Sequence, residues 1–375
     1  MNLQTLGFVI LYGLLVLPSC TFFSTMFRNI KDTIMKRLIC IWMLCQLVQM
    51  CIAHEVLTNG LVYKLDERSL SASVVGRDST SSNLLERISI PETLAYEGAY
   101  YRIVSIEDGA FANCKELLSI ELPKSVLRLG NGCFADCSKL ESIKLPKQLK
   151  AIGNYCFGGC SLLTEVTIPK HVERIGEQVF QCCTNLRLVS IPSSVKEIGE
   201  QCFERCPSLP VYNSIRYAGN FAVEVVDKTL VSYSIRRGTR FLDLGLFGGC
   251  KNLIKLKIPK SVRSIGTVCF GGCERLESIN IPEGVERIPS ELFVGCSSLS
   301  SVTFPKTTKK VGNVCFDKNS GLSSLYCKAA VPPSVDHIPF APEFTKQCIL
   351  YVPHAALDEY KASPEWRRFV HIEGF

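Results

Sequence analysis

The strongest constraint on the fold is a phenylalanine that recurs every 23 residues through much of this 375-residue chain. One longer step of 44 residues, between Phe203 and Phe247, interrupts the series. The full series is Phe111, Phe134, Phe157, Phe180, Phe203, Phe247, Phe270, Phe293 and Phe316. Self-similarity at a fixed period of roughly 20–50 residues is typical of solenoids, so the repeat indicates a solenoid fold.

Other positions keep the same phase. Cysteine lies three residues after eight of the nine phenylalanines, leucine lies six after all nine, and proline lies twelve after seven. The consensus is F-x-x-C-x-x-L-x-x-I-x-I-P-x-x-V-x-x-I-G-x-x-x. The alternating residues of L-x-x-I-x-I predict a short strand. The proline ends that strand because it cannot donate to a ladder, and the glycine permits the turn that follows.

One such coil cannot bury its own apolar face, whereas stacked coils bury a continuous core. We therefore predict a repeat β-solenoid with short parallel strands, one per coil of ~23 residues, capped at both ends. Residues 54–90 are predicted to form an N-terminal β cap, 91–326 the solenoid, and 327–375 a C-terminal cap. An irregular insertion at 210–241 is expected where the 44-residue step falls.

The twenty cysteines need an explanation. Four Cys-x-x-x-Cys pairs, at 133/137, 156/160, 202/206 and 269/273, raise the hypothesis of metal or redox pairs. The slot before each phenylalanine also holds Ala110, Val179, Leu246 or Leu292, which indicates selection for apolar bulk. We therefore predict a buried ladder of free thiols, since cysteine packs as a small hydrophobe.

Two alternatives for the cysteines are weighed beside the ladder. A metal site is not expected, because no histidine keeps the phase of the repeat and metal sites favour histidine or a tight Cys-x-x-Cys. Disulfide formation is a second alternative if the protein is exported, with Cys182/Cys183 or Cys327/Cys348 as the better candidates.

The N-terminus contains two apolar stretches, FVILYGLLVL (8–17) and LICIWMLCQLVQMCIA (38–53). The second follows Met35-Lys36-Arg37 and ends at Ala53, which is the pattern of a secretory signal peptide. We predict that translation starts at Met35, so that residues 1–34 are an over-called N-terminal extension that the protein does not contain. We predict a signal peptide at 35–53 and no transmembrane span in the mature chain. The alternative is a lipoprotein-type sequence, LPSC, with a lipidated Cys20.

The net charge is +7, and removal of residues 1–53 takes away four basic residues and one acidic residue, which leaves +4. This charge is too small and too evenly mixed to indicate a nucleic-acid partner. No Ser/His/Asp or Cys/His constellation, P-loop or dinucleotide fingerprint occurs in the sequence. We expect no enzymatic activity and no cofactor.

The repeat resembles the BspA-type leucine-rich repeat of surface proteins from Bacteroidales bacteria and some mucosal protists. YEGAYYRIVSI (96–106) and LYVPHAALDEYKASPEW (350–366) are also similar to bacterial members. The resemblance covers roughly residues 85–375. It implies a leucine-rich-repeat-type β-solenoid and an exported protein with no catalytic residues to carry over. It also implies a role in adhesion to host matrix proteins, bacterial co-aggregation or contact with innate immune receptors.

Three groups of residues are candidate binding sites. A lysine follows the strand-ending proline in five coils and predicts a basic stripe, at Lys124, Lys147, Lys170, Lys260 and Lys306. Charged residues on the solvent side of the predicted strands form a second group, Glu121, Lys144, Glu165, Lys255 and Lys257. Tyrosine and arginine, which are favoured at interfaces, cluster in the irregular region at Tyr212, Arg216, Tyr217, Tyr233, Arg236 and Arg237.

Each group also has an explanation without a ligand. The lysines can protect a turn by solvation, and the tyrosines and arginines can pack a defect in the solenoid. We expect an exported, non-enzymatic recognition or adhesion scaffold that binds protein or glycan on host or bacterial surfaces through the solenoid face. The alternative is a structural cell-envelope protein without a dedicated ligand. We expect a monomer, extracellular or at the cell surface, with the outer membrane or periplasm as further locations.

Overall fold

Each coil contributes two short strands, which align with those of neighbouring coils into two rows. The first row comes from the L-x-x-I-x-I segment, as in Glu165–Thr167, where the middle residue is buried and both flanking residues are exposed. The second row comes from the V-x-x-I segment, as in the two-residue strand Arg174–Ile175. The predicted parallel β-solenoid is confirmed. The segment that we expected to be only a bend is a second strand in most coils.

A computed structural model describes residues 54–78, 86–336 and 340–375. The predictions of a start at Met35, a signal peptide at 35–53 and a lipidated Cys20 lie outside the described residues. Residues Glu55–Phe375 form one compact unit. Within the described ranges, no helix combines the length and hydrophobicity needed to cross a membrane.

The N-terminal region is built mainly of antiparallel strands. Its strands are β1 (His54–Thr58), β2 (Leu61–Asp66), β3 (Ser71–Arg77), β4 (Arg87–Ser89), β5 (Thr93–Tyr96) and β6 (Ala99–Ile106). Asn59 and Gly60 connect β1 to β2 with φ of 51° and 75°, as expected for an Asn-Gly hairpin turn. β3 pairs parallel with β6, which starts the second row.

The first block of coils follows. Its strands are β7 (Ser119–Glu121), β8 (Arg128–Leu129), β9 (Ala151–Ile152), β10 (Glu165–Thr167), β11 (Arg174–Ile175), β12 (Leu188–Ser190) and β13 (Glu197–Ile198). The second row runs unbroken through β6, β8, β9, β11 and β13. The first row is interrupted, because β4 pairs with β7, β10 pairs with β12, and Ser142 makes only one isolated bridge to Glu165.

The insertion folds as an antiparallel meander of β14 (Val211–Tyr212), β15 (Ile215–Ala218) and β16 (Phe221–Val225). β16 pairs parallel with β18 (Phe241–Leu242) and so takes the place of a second-row strand. The first row has no counterpart there, and β17 (Ser232–Ser234) begins a new sheet that does not include β12. Neither row is continuous across the insertion, because the sheet that ends at β13 does not include β16.

The second block continues the two rows. Its further strands are β19 (Lys255–Lys257), β20 (Ser264–Ile265), β21 (Ser278–Asn280), β22 (Arg287–Ile288), β23 (Ser301–Phe304), β24 (Lys310–Val311), β25 (Ser324–Cys327) and β26 (Ser334–Val335). The first row here forms one parallel sheet through β17, β19, β21, β23 and β25.

The C-terminal region covers the end of the second block. It consists of α1 (Pro342–Gln347), β27 (Ile349–Val352), a 3-10 helix (His354–Ala356), α2 (Leu357–Ala362), a second 3-10 helix (Trp366–Arg368) and β28 (His371–Gly374). Trp366 and Tyr360 are fully buried. The Trp366 indole N–H donates to Pro333 O at 2.8 Å, and the Tyr360 hydroxyl donates to Ala329 O at 2.9 Å. These bonds satisfy the polar ends of two large side chains that seal the core.

The repeated phenylalanines stack through the core. Ring centroids in the first block are 5.4 Å apart for Phe111 and Phe134, with planes within 3°. The stack tilts at the insertion, where Phe203 meets Phe221 at an interplanar angle of 54°. The hydrophobic core correspondingly divides into two clusters, one on each side of the insertion.

The repeated cysteines occupy the same layer. In six coils the thiol donates to the carbonyl of the phenylalanine in the preceding coil, at 3.0–3.3 Å. The donors are Cys137, Cys160, Cys183, Cys206, Cys273 and Cys296. The cysteine therefore fills a small apolar space and also gives a buried carbonyl a second donor, a role that bulk alone would not explain.

Candidate functional site

The five lysines of the predicted basic stripe are all exposed. None of their ammonium groups lies within 4 Å of a carboxylate in the described ranges. Lys124, Lys147 and Lys170 lie in three consecutive coils, whereas Ser193 and Glu283 interrupt the stripe further on. The first block therefore carries the densest part of the stripe.

The solvent face of the first row carries the second candidate group. Glu121, Lys144, Glu165, Lys255 and Lys257 are exposed, as the predicted alternation requires. Strand register places Glu165 opposite Leu188, and Lys257 opposite Ser234. The two lysines of β19 are therefore flanked by small polar residues.

A groove of about 510 Å³ brings the first two candidate groups together. It lies between residues 142–147 of one coil and 165–169 of the next, and Lys144, Lys147 and Glu165 line it. Ile143, Leu145 and Val166 provide its apolar floor. A floor of apolar side chains beside a few convergent charges is the usual composition of a binding site.

The groove exists because the ladder of the first row opens at this point. In two other coils the Ile168 N–H donates to Ser190 O and the Ile281 N–H to Thr303 O, each at 3.0 Å. The Leu145 N–H makes no such bond to the next coil within the described residues, and neither do the equivalent N–H groups of Leu122 and Ile258. Residues 142–144 form no strand, and the two coils separate along the sheet.

The irregular region mostly uses its tyrosines and arginines internally. Tyr217 is 1% exposed and Tyr233 is 7% exposed. The Tyr233 hydroxyl donates to Asp227 O at 2.6 Å, and burial raises the pKa of Tyr233. Their contact with a partner would require this region to open, so the tyrosines match the packing explanation better than the interface explanation.

Two arginines of this region make internal contacts, whereas the third arginine and one tyrosine are exposed. Arg216 pairs with Glu224 at 3.0 Å and also donates to backbone carbonyls. Arg236 lies 4.5 Å from the centroid of the Tyr217 ring and donates to Gly219 O. Tyr212 and Arg237 are exposed and keep the ability to contact a partner.

Sequence reasoning missed an aromatic group at the C-terminal end of the first row. The Tyr326 and Tyr351 rings stack on adjacent strands with centroids 4.7 Å apart and planes within 12°. Phe375, which is 53% exposed, meets Tyr326 edge-on at 6.1 Å. The signal was hidden because Tyr351 follows Tyr326 by 25 residues, two more than the period.

Ion pairs between neighbouring coils were also missed. Lys196 lies 2.9 Å from Glu173, Lys309 lies 2.8 Å from Glu286, and both pairs are separated by 23 residues. A search of the sequence for Lys and Glu one repeat period apart would have predicted these pairs. Because the side chains are exposed, each pair contributes at most about 1 kcal/mol.

The cysteines are packed as thiols within the described part of the chain. All sixteen described cysteines have free thiols, including Cys182, Cys183, Cys327 and Cys348. Fifteen are buried, and burial raises the pKa of Cys160 to about 12. In residues 54–78, 86–336 and 340–375, no group of three or more His, Cys, Asp or Glu side chains could hold a metal ion.

A buried carboxylate stands at the junction of the two blocks. Asp243 takes the place of the repeat glycine and is 6% exposed. Its carboxylate accepts the Leu244 N–H at 2.8 Å. Burial is the main cause that raises the pKa of Asp243 to about 7; Glu200 and Glu204 add to this effect, and hydrogen bonds from the Leu244 and Gln201 backbone oppose it. We infer that Asp243 stabilises the chain next to the insertion by accepting the Leu244 N–H.

The family comparison agrees with this architecture. The model of the BspA type leucine rich repeat region matches residues 80–210 and 228–338 in six copies. The interval between the two matched ranges contains most of the insertion. No curated protein matches the chain in sequence.

Several solved structures are similar in fold. A leucine rich cell surface protein from Faecalibacterium prausnitzii has 22% identity over 73% of this chain and 94% of its own, with a TM-score of 0.37. The leucine rich repeat protein of T. pallidum has 27% identity over 60% and 91%, with a TM-score of 0.40. The pneumococcal vaccine antigen PcpA has 16% identity over 86% and 99%, with a TM-score of 0.41.

Proposed function

The chain belongs to the BspA-type leucine-rich-repeat family, and from this premise we propose that it is an exported recognition or adhesion scaffold for macromolecules on host or bacterial surfaces. Proteins of this repeat family are scaffolds for protein interaction and are typically not enzymes. The finer proposal concerns which surface of the scaffold binds, and what kind of partner it takes.

The observation that carries the proposal is the groove between residues 142–147 and 165–169. Lys144 and Lys147 lie at its border, and Lys124 and Lys170 continue the basic stripe in the coils on either side. Four cations without carboxylate partners give this part of the surface a positive potential. We therefore favour an acidic segment of a partner protein as the ligand.

The open ladder supports the same choice. The Leu145 N–H is not used by the neighbouring coil, so an extended peptide can accept it through a backbone carbonyl or a carboxylate. Ile143, Leu145 and Val166 offer apolar contact beneath that peptide. Glu165, on the opposite wall, would discriminate against a ligand that is acidic along its whole length, such as a highly sulfated glycan.

A binding screen of the exported protein against host matrix proteins and glycans tests this proposal. We expect binding to an acidic matrix protein that weakens at high salt and falls at least about tenfold when Lys124, Lys147 and Lys170 are changed together to Ser. The matched control changes Lys255, Lys257 and Lys260 to Ser, which removes the same charge from the second block. Equal losses in both variants would contradict a site at the groove. Binding to no macromolecule would instead favour the structural cell-envelope role.

A further inference from the structure

The outer edge of β28 is open. β28 is the last strand of the seven-stranded sheet, and no described residue pairs with its outer side. On the inner side, the Phe375 N–H donates to Val352 O at 2.9 Å, and Phe375 O accepts the His354 N–H at 3.1 Å. Because backbone groups alternate between the two edges of a strand, the N–H and C=O groups of Ile372 and Gly374 point outward.

A groove of about 410 Å³ runs along this edge. His371, Ile372 and Glu373 form its floor, and Lys361 and Arg367 flank it. His371 and Glu373 are exposed, whereas Ile372 is half-buried at the end of the core. Neither Lys361 nor Arg367 has a carboxylate within 4 Å among the described residues.

Two common protections of an edge strand, a proline and a bulge, are missing here. Natural edges are blunted by short strands, charged side chains, proline, bulges or a covering element. β28 has the sequence His-Ile-Glu-Gly and pairs with β27 in unbroken register. The edge is therefore a regular template onto which another strand can pair.

The side chains of β28 are complementary to those of a second copy, since an imidazole can donate a hydrogen bond to a carboxylate. In an antiparallel pair with its two-fold axis at Ile372, His371 of each copy lies directly opposite the partner's Glu373. Ile372 then exchanges two hydrogen bonds with the partner's Ile372, which matches the outward direction of its backbone groups. His371 and Glu373 occupy a non-hydrogen-bonded position, where opposite side chains approach most closely.

The other register that uses the same backbone groups is unfavourable. A two-fold axis at Glu373 pairs Ile372 with the partner's Gly374 and brings two glutamates face to face. Like charges directly opposite each other destabilise a strand pair. The sequence of β28 therefore favours the register centred on Ile372 over the register centred on Glu373.

We propose that the protein forms a two-fold dimer by antiparallel pairing of β28 with β28 of a second copy. The dimer joins two first-row sheets into one, with two His371–Glu373 contacts related by symmetry. The partner's Glu373 also brings negative charge to a groove flanked by Lys361 and Arg367. This differs from the monomer expected from the sequence, which could not show that the last strand leaves an edge open.

Sedimentation velocity on the full chain, from about 1 to 100 μM, tests the proposal. We expect a monomer–dimer equilibrium for the wild type. His371→Glu places Glu opposite Glu, and Glu373→His removes the carboxylate that faces His371, so each variant alone should weaken the dimer at least about tenfold. Glu359→Lys, a charge change at an exposed site on α2, is the control and should leave the equilibrium unchanged.

The two single variants also test the register when they are mixed. A His371→Glu copy and a Glu373→His copy present complementary pairs to each other, so their equimolar mixture should form a heterodimer. The double variant His371→Glu/Glu373→His should dimerise by itself for the same reason. Circular dichroism confirms that each variant is folded.

Three results would overturn the proposal. The first is a wild-type monomer throughout the concentration range, which would leave the edge to a strand from a different protein. The second is a dimer that neither single variant weakens, since this would place the interface elsewhere. The third is a mixture of the two single variants that stays monomeric, because complementary charge would then not govern the pairing.

Discussion

The Cys160 thiol lies 3.2 Å from the carbonyl oxygen of Phe134, 26 residues earlier in the chain and one coil away in space. The same carbonyl also accepts the Cys137 N–H at 3.3 Å. The thiol thus satisfies the second lone pair of a buried acceptor. Repeated in six coils, this contact ties each layer to the previous one and gives cysteine an advantage over alanine.

We expect Cys160→Ala to lower the free energy of unfolding by about 1–2 kcal/mol, because it removes a weak hydrogen bond and leaves a small cavity. Urea denaturation followed by circular dichroism measures this change. The control is Cys182→Ser at a half-buried cysteine outside the ladder, which should change stability by less than about 0.5 kcal/mol. An equal effect at both sites would show that the ladder position has no special role.

Thiol labelling should distinguish native from unfolded protein. In native protein, Cys182 should react first, because it is the one described cysteine that is not buried. Burial raises the pKa of Cys206 and Cys315 to about 12, so little thiolate is present at neutral pH. After denaturation without reductant, mass spectrometry should find the ladder cysteines labelled. Resistance of most of them would show disulfides in their place.

The buried Asp243 should make stability depend on pH. Its pKa is about 7 in the folded protein, against an ordinary value of 3.8, so the folded state holds a proton that the unfolded state has lost between these values. Stability should therefore fall as pH rises from about 4 to about 7, by on the order of 4 kcal/mol, and then level off.

The variant Asp243→Asn isolates this contribution. Asparagine keeps an acceptor for the Leu244 N–H and has no charge to bury. Its stability at pH 8 should exceed that of the wild type, and the difference should shrink towards pH 4. Thermal unfolding across this pH range measures the stability of both proteins. Parallel curves of stability against pH would contradict a raised pKa of Asp243 in the folded protein.

The repeat glycine should be intolerant of a side chain where coils are stacked. A Cβ at Gly153 would lie 2.6 Å from backbone atoms of the preceding coil, so Gly153→Ala should cost about 2 kcal/mol or more. Gly76→Ala is the matched control, since its Cβ would meet only Ala110 O, at 3.5 Å. Chemical denaturation of both variants provides the comparison.

The parts of the fold that depend on periodic residues could be predicted from the sequence. The repeat positions of Phe157 and Cys160 have the same role in successive coils, because their neighbours are also copies of the same unit. The insertion has no phase, so nothing in the sequence distinguished the buried Tyr217 from the exposed Tyr212.

The candidate site was predictable only in pieces. Lys144 and Lys147 were assigned to two separate groups, and the structure joins them in one groove where residues 142–144 form no strand. Whether two stacked coils stay together or separate depends on small differences in packing, which a consensus does not record. The open edge of β28 was hidden for a similar reason, since it depends on where pairing stops.

The coils between the insertion and the C-terminal cap repeat the same contacts, which has a consequence for how such a protein can change length. Adding or deleting a whole unit of 23 residues there would leave the groove and β28 with their present neighbours. Each such event would alter the separation of these two features by about 4.8 Å. The reach of the molecule can therefore be adjusted in discrete steps while both proposed recognition surfaces stay unchanged.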